Sequence, residues 1–465
     1  MPRNKPRSLC ASILAAGNLS ACVDIGADGR GSWGELAGCA AFATPSSGFH
    51  GRSVLVATTS QFVAAEALIQ FDGVVRRMVL CPPDLSLEQL NFVAKQAEAD
   101  VIITEGSASA SRWGGVQSVG PRRRPRPRQS IDRDRNVETE WILLTSGTTG
   151  LPKLVKHTLA TLAGAIAVRS ASPEPVVWST LYDIRRYGGL QIFLRAALTG
   201  TPLVLPGSGE STTDFLVRAG ERGVTHISGT PSQWRRVLMN PSFHAIVPAY
   251  LRLSGEIADQ GILNQLQSQY PEARIAHAFA STEAGVVFEV NDGTTGVPVN
   301  AIRHTPHVEL KVEEGTLRVR SNRTAYAYLG KDALPLKDAD GFVDTGDVLE
   351  LRTDRYYFAG RRDGTINVGG LKIHPEEVEA VLNRHPSVGM SLVRTKKSSI
   401  TGGLVVADVV LKMPAQPEAG DPQPLQQDIL KFCREELALY KVPVEVNFVS
   451  TLAVAETGKL IRRHA

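Results

Sequence analysis

Short apolar runs rich in β-branched residues recur along this chain, and each is followed by a helical pattern or by turn residues. They fall at 53–57, 78–81, 101–104, 141–145, 176–178, 202–205, 226–228 and 274–277, with helix-like stretches such as 61–70, 87–97 and 159–169 between them. Continuous apolar runs alternating with helices predict strands buried on both faces, hence parallel α/β layers. The pattern changes at Val308. From there to Phe358, short runs separated by Gly and Asp turns predict antiparallel strands. Beyond Asp363 a further unit begins, with an amphipathic helix at 375–383, strands near 391–394 and 404–411, and a helix at 424–437. The expected fold class is therefore α/β. A large N-terminal domain of layered α/β subdomains carries a small β-barrel-like subdomain, and a small α+β domain with its own core follows.

At 465 residues the chain is too long for one compact core, so two or more domains are expected. Hydrophobic residues at 43% and charged residues at 21% can bury such cores in an ordinary soluble protein. A net charge of +4 is too small to argue for nucleic acid or an anionic membrane. The cysteines (Cys10, Cys22, Cys39, Cys81 and Cys433) are few and scattered without a C-x-x-C pair, so neither zinc nor a disulfide framework is expected. Inert thiols in the cytoplasm fit better. Basic residues Arg3, Lys5 and Arg7 before the apolar run 9–17 and Leu19-Ser20-Ala21-Cys22 resemble an export leader. Ser12, Gly17 and Asn18 weaken that run, and ordinary folded sequence is expected. No stretch is long and apolar enough to predict a membrane span. The segment Pro121-Arg-Arg-Arg-Pro-Arg-Pro-Arg128 mixes charge and proline and reads as a solvated loop; no aromatic residues interleave with its arginines as a nucleic-acid stripe would want.

The strongest local signal is Thr145-Ser146-Gly147-Thr148-Thr149-Gly150-Leu-Pro-Lys153, directly after the strand 141–144. Backbone N–H groups and hydroxyls of such a loop can wrap a polyphosphate, and Lys153 adds a mobile positive charge. Gly150 and Lys153 are separated by Leu-Pro, so this is not the P-loop of kinases, and it lacks the G-x-G-x-x-G of dinucleotide sites. Four more stretches follow: Phe279-Ala280-Ser281-Thr282-Glu283; Asp340-Gly-Phe-Val-Asp344-Thr-Gly-Asp347; Gly360-Arg361-Arg362-Asp363 running on to Gly369-Gly370 and Pro375-Glu-Glu-Val-Glu379; and Glu456-Thr457-Gly458-Lys459.

In order and spacing these five resemble the motifs of the adenylate-forming (AMP-binding) superfamily of acyl- and aryl-CoA synthetases, peptide-synthetase adenylation domains and luciferases, from about Gly51 to the C-terminus, and most nearly a short acyl-CoA synthetase. The resemblance implies an adenylation domain over 1–361, a C-terminal domain over 364–465, and a hinge at Asp363. It implies that ATP lies on Thr145, Ser146, Gly147, Thr148, Thr149, Gly150 and Lys153, with Phe279 against adenine, Asp347 on the ribose and Arg361 on ribose or phosphate. Thr282 would meet the α-phosphate, Glu283 would hold Mg²⁺, and Lys459 would reach the reacting carboxylate. Gly369 and Gly370 would line the approach of a thiol.

Two departures are visible: Ala280 and Ala453 stand where the family usually has glycine and proline. The acyl pocket is weakly marked by Arg186, Tyr187, Gly188 and Ala280. Arg186 stands at the position of an aromatic-preceded histidine in many CoA ligases, and Gly188 where amino-acid-activating domains carry Asp. An α-amino acid is therefore disfavoured, while aryl, short-chain and medium-chain acids all stay open. Arg186 reads either as a structural ion pair or as a group facing the acyl or thiol channel. The implied reaction activates a small carboxylic acid with ATP and Mg²⁺ to acyl-AMP, then passes the acyl group to CoA or an acyl carrier protein. An adenylate-only enzyme and a non-catalytic nucleotide-binding module remain as alternatives.

Overall fold

The structure is a computed structural model, and it describes residues 8–42, 46–105, 116–127, 137–145, 150–166, 175–303, 307–331, 333–398, 402–412, 422–454 and 458–461. Two large, mostly parallel sheets dominate it. The first runs, edge to edge, Gly285–Val290, Arg274–Ser281, Tyr250–Ser254, His226–Gly229, Trp178–Thr180, Leu203–Val204, Cys22–Asp24, Arg30–Ser32. The second runs Ala327–Leu329, Lys153–His157, Glu140–Thr145, Arg77–Leu80, Ser53–Val56, Val101–Ile103, Gln117–Val119. In each, antiparallel pairing is confined to the ends of the sheet.

Alternation along the strands explains the layering. Val54, Val56, Met78, Leu80, Trp141 and Leu143 face one core, which they share with helices Gln61–Phe71 and Tyr187–Thr199 and with Val23 and Leu203 of the other sheet. Leu55, Val79, Ile102 and Ile142 face the opposite way, towards helix Leu87–Gln96. Helix Gln61–Phe71 lies between the two sheets and is buried on nearly every side, so it has no polar stripe. Leu251 and Leu253 of the first sheet pack against three outer helices, Thr212–Glu221, Pro231–Leu238 and Gln260–Gln269.

A five-stranded antiparallel sheet follows, in the order Val297–Pro298, Arg355–Arg361, Val343–Arg352, Thr316–Ser321, Val308–Glu313. The last unit packs helices Pro375–Leu382 and Gln423–Glu436 on the strands Val388–Ser398, Gly402–Leu411 and Glu445–Phe448, around a core of its own. The α/β class and the change of pattern near Val308 are as expected.

One local expectation is corrected, and the folded reading of the leader-like run agrees with the structure. The Arg/Pro segment forms an extended strand, Pro121–Pro127, paired antiparallel with Cys39–Phe42, and not a free loop. Proline's fixed φ is compatible with an edge of a two-stranded ribbon, where few N–H groups are needed. The leader-like run contains a short helix, Leu9–Ala15, whose Leu9, Cys10 and Ile13 are buried in the main core. Cys22 opens a strand of the first sheet. Among the described residues no helix is long and apolar enough to cross a membrane.

Candidate active site

The strand Glu140–Thr145 turns back as Lys153–His157, with Thr145 paired to Lys153 across the hairpin. Ser146, Gly147, Thr148 and Thr149 lie outside the described residues. Gly150 has φ +80°, a conformation that favours glycine, and its carbonyl accepts from Gln89 at 2.9 Å. Lys153 is exposed, its ammonium 5.5 Å from the centre of the Tyr328 ring.

Thr282 and Glu283 follow the longest strand of the first sheet, Arg274–Ser281. Glu283 Oε1 accepts from Thr145 Oγ1 at 3.2 Å and from the Tyr328 hydroxyl at 3.3 Å. Both bonds fall on one oxygen, and a half-buried carboxylate with its other oxygen open among the described residues suits Mg²⁺. That ion is commonly held by one or two carboxylates together with substrate phosphates. The described residues hold no group of three or more His, Cys, Asp or Glu that would bind a metal unaided.

The Thr282 carbonyl accepts from His157 Nε2 at 2.7 Å, while Nδ1 lies 2.9 Å from Thr161 Oγ1. Burial pulls the His157 imidazole down to about 4, so the ring is neutral and its one proton sits on Nε2. His157 thus ties the hairpin to the turn that carries Thr282 and Glu283. Phe279 stacks on Phe358 at 5.0 Å and on Phe288 at 5.6 Å between ring centres.

Asp347 and Arg361 face each other across neighbouring strands. The Arg361 guanidinium donates to the Thr345 carbonyl at 3.1 Å. Burial raises the Asp347 carboxyl, while Arg361 and Lys459 act against that rise. Asp363 lies exposed in a one-turn 3₁₀ segment, Arg362–Gly364. Gly369 and Gly370 form the exposed tip of the hairpin Ile366–Val368 and Leu371–Ile373. Their φ values of +58° and +89° explain the glycines here, since a side chain at either would meet only open space.

Lys459 arrives from the far end of the chain. The carbonyl of Gly458 accepts from Thr230 Oγ1 at 2.6 Å. Glu256 accepts from Leu460 N at 3.2 Å and, on its other oxygen, from Ser232 N at 2.9 Å. Lys459 Cε lies 3.3 Å from where a side chain of Gly255 would begin. Its surface is exposed, yet surrounding protein lowers its pKa; Glu256, Asp347 and Glu283 act against that fall, and Arg361 with it. Open surface together with dense surroundings describes a side chain lining a cleft. Sequence reading missed Glu256, Thr230, Tyr328 and His157. A Glu-Ile-Ala turn or a strand-ending His carries no local mark of what it will meet.

At the pocket positions, Arg186 pairs with Asp84. Tyr187, Gly188 and Ala280 instead line a small cavity with Gln191, Ser254 and Arg252. Gly189 is obligatory, because a side chain there would begin 2.2 Å from the Asp183 carbonyl.

A fold of this kind, with an acidic turn and a C-terminal lysine brought beside it, is that of an adenylate-forming enzyme, and the family comparisons agree. Residues 55–324 match the AMP-binding enzyme family and residues 377–459 its C-terminal domain. The chain belongs to this family. It is 28% identical to an acyl-CoA ligase of Aspergillus oryzae, over 72% of this chain and 64% of that protein. It is 25% identical to the 2-succinylbenzoate–CoA ligase of Bacillus licheniformis, over 83% of each. Its fold is similar to that of the anthranilate CoA ligase AuaEII bound to anthranoyl-AMP, at a TM-score of 0.79 and 16% identity over 98% of this chain and 96% of that one. A benzoate CoA ligase from Burkholderia xenovorans gives a TM-score of 0.78 at 18% identity, over 98% and 99%.

Proposed function

We propose that this protein activates a small carboxylic acid with ATP and transfers the acyl group to a thiol, CoA or a carrier-protein phosphopantetheine. The observation that carries the reading is the docking of the C-terminal turn, where Gly458 O accepts from Thr230 and Leu460 N donates to Glu256, which brings Lys459 beside Gly255 and within electrostatic reach of Glu256, Asp347, Glu283 and Arg361. A carboxylate oxygen attacks the α-phosphorus, the bond to the β-phosphate oxygen breaks, and pyrophosphate leaves. Negative charge grows on the α-phosphate as this happens, and Lys459 is positioned to stabilise it. Asp347 offers two acceptor oxygens to the ribose hydroxyls. Thr145, Lys153 and Thr282 bind and orient phosphate oxygens. Glu283 would hold Mg²⁺, which neutralises phosphate charge when bound.

In the second half-reaction the thiol loses its proton, its sulfur attacks the acyl carbon, and AMP departs. Lys459 must first leave. The reading supposes two domains, 1–361 and 364–465, turning about Asp363, whose exposed single-turn segment can absorb the change. Gly369 and Gly370, parked in solvent with Lys459 docked, would then come to the thiol's path.

Pyrophosphate exchange into ATP across a panel of acids tests this, with Lys459→Ala beside the parent. Acid-dependent exchange that drops on the order of 10²–10³-fold in the variant is expected. Binding of ATP without exchange for any acid would overturn the reading in favour of a non-catalytic module. Exchange without thiol-dependent turnover would leave an adenylate-only enzyme.

A further inference from the structure

Strands in a parallel core seldom bury arginine, yet Tyr250–Ser254 does so at its centre. Leu251 and Leu253 point into the outer core, so Tyr250, Arg252 and Ser254 share the other face. Arg252 is 6% exposed. Its Nε has no hydrogen-bond partner, and among the described residues its side chain makes no hydrogen bond at all. The one carboxylate paired with it is Glu289, at 3.8 Å, which already accepts from the Tyr250 hydroxyl at 2.8 Å. A second guanidinium, Arg195, lies close enough for the two cations to disfavour each other. Arg252 and the half-buried Arg195 therefore share one partly exposed carboxylate, Glu289. A buried guanidinium without acceptors is costly, and an anionic ligand removes the cost.

The place is informative. Arg252 lines the same small cavity as Tyr187, Gly188, Gln191, Ser254 and Ala280. Its free space is about 20 Å³, room for an ordered water whose place at Arg252 an oxygen of a ligand can take. Just past the end of this strand is Gly255: Lys459 Cε lies 3.3 Å, and the hydroxyl of Tyr182, another lining residue, 3.8 Å from where its side chain would begin. Lys459 and the cavity thus adjoin, a spacing that a short acid bridges.

We infer that Arg252 is the specificity-determining residue of the acyl pocket and receives the second carboxylate of a short dicarboxylic acid, whose other carboxyl group is activated. The inference rests on the adenylation reading and names its substrate class. Arg186, engaged by Asp84, is not needed for this.

The experiment compares succinate, glutarate and adipate with butyrate, pentanoate and hexanoate, in which a methyl group replaces the second carboxylate. In acid-dependent pyrophosphate exchange, the best diacid should exceed its methyl counterpart by at least tenfold in kcat/KM. Arg252→Met should cut that ratio at least tenfold, through KM more than kcat, and Arg252→Lys should fall between. A purely structural role would lower both acids together. A parent that prefers the methyl acids, or a ratio unchanged in Arg252→Met, overturns the assignment. Absence of exchange with every acid sinks the adenylation reading instead. Thermal denaturation with glutarate and a non-hydrolysable ATP analogue then decides for Arg252. Stabilisation of the parent and not of Arg252→Met upholds the anion site; equal stabilisation of both, or of neither, removes it.

Discussion

Glu66 sits on the helix Gln61–Phe71, which has almost no solvent face, and burial pushes its carboxyl up to about 7. In an unfolded chain a glutamate releases its proton near pH 4.3. Between these values the folded protein holds a proton that the unfolded chain has lost, so stability falls as pH rises through that window. The ceiling on the loss is about 4 kcal/mol. Glu66→Gln keeps the shape and cannot ionise. Its melting temperature should match the parent's at pH 4.5 and exceed it by several degrees at pH 8; parallel curves would refute the argument. Sequence showed other residues well where chemistry is local. Thr145, Glu283, Asp347 and Lys459 sit in short motifs whose turns and hydroxyls announce themselves. Arg252 was invisible for a physical reason. In Leu251-Arg-Leu-Ser254 the alternation reads as a strand with a polar face to water, and only the helix Tyr187–Thr199 packed over that face turns it into a closed pocket.

At the scale of elements, helix Gln61–Phe71 and strands such as Ser53–Val56 were legible because apolar periodicity is a direct consequence of burial on two sides. The strand Pro121–Pro127 was not, since its composition opposes a packed element and its pairing with Cys39–Phe42 is set by segments far away in sequence. The C-terminal turn is also set from afar. Gly458 has φ +74°, and a methyl group there would begin 2.4 Å from Gln233 Cδ. Gln233 cannot give way cheaply, because it caps the helix Pro231–Leu238 and donates to the Leu181 carbonyl at 2.7 Å. Gly458→Ala should therefore lift Lys459 out of the cleft while leaving the body of the fold alone. Pyrophosphate exchange should drop at least tenfold with the melting temperature shifted by no more than a degree or two. Thioester formation from synthetic acyl-adenylate, made with the acid the exchange panel identifies, should persist. Loss of both half-reactions together would mean that the turn serves general stability.

For the whole molecule, the C-terminal turn is docked with Lys459 beside Gly255, the arrangement that the proposed adenylation step would use. A thiol has to reach the same acyl carbon, so one docked arrangement cannot serve both half-reactions if the reading is right. The docking contact offers a way to test this. Met239 of the large unit has its sulfur 3.4 Å from where a side chain at Gly389 would begin, on the first strand of the small unit. Met239→Cys with Gly389→Cys places two thiols across this contact, where oxidation can bridge them. Cys10, Cys81 and Cys433 are buried, and the half-buried Cys22 and Cys39 are replaced by serine in the background used. Once oxidised, the double variant should retain pyrophosphate exchange and lose thioester formation, and a reductant should restore the second activity. Each single variant should carry out both steps in either redox state. If the bridged protein makes thioester at the parent's rate, rotation about Asp363 is not part of the cycle, and the thiol must enter with Lys459 still in place.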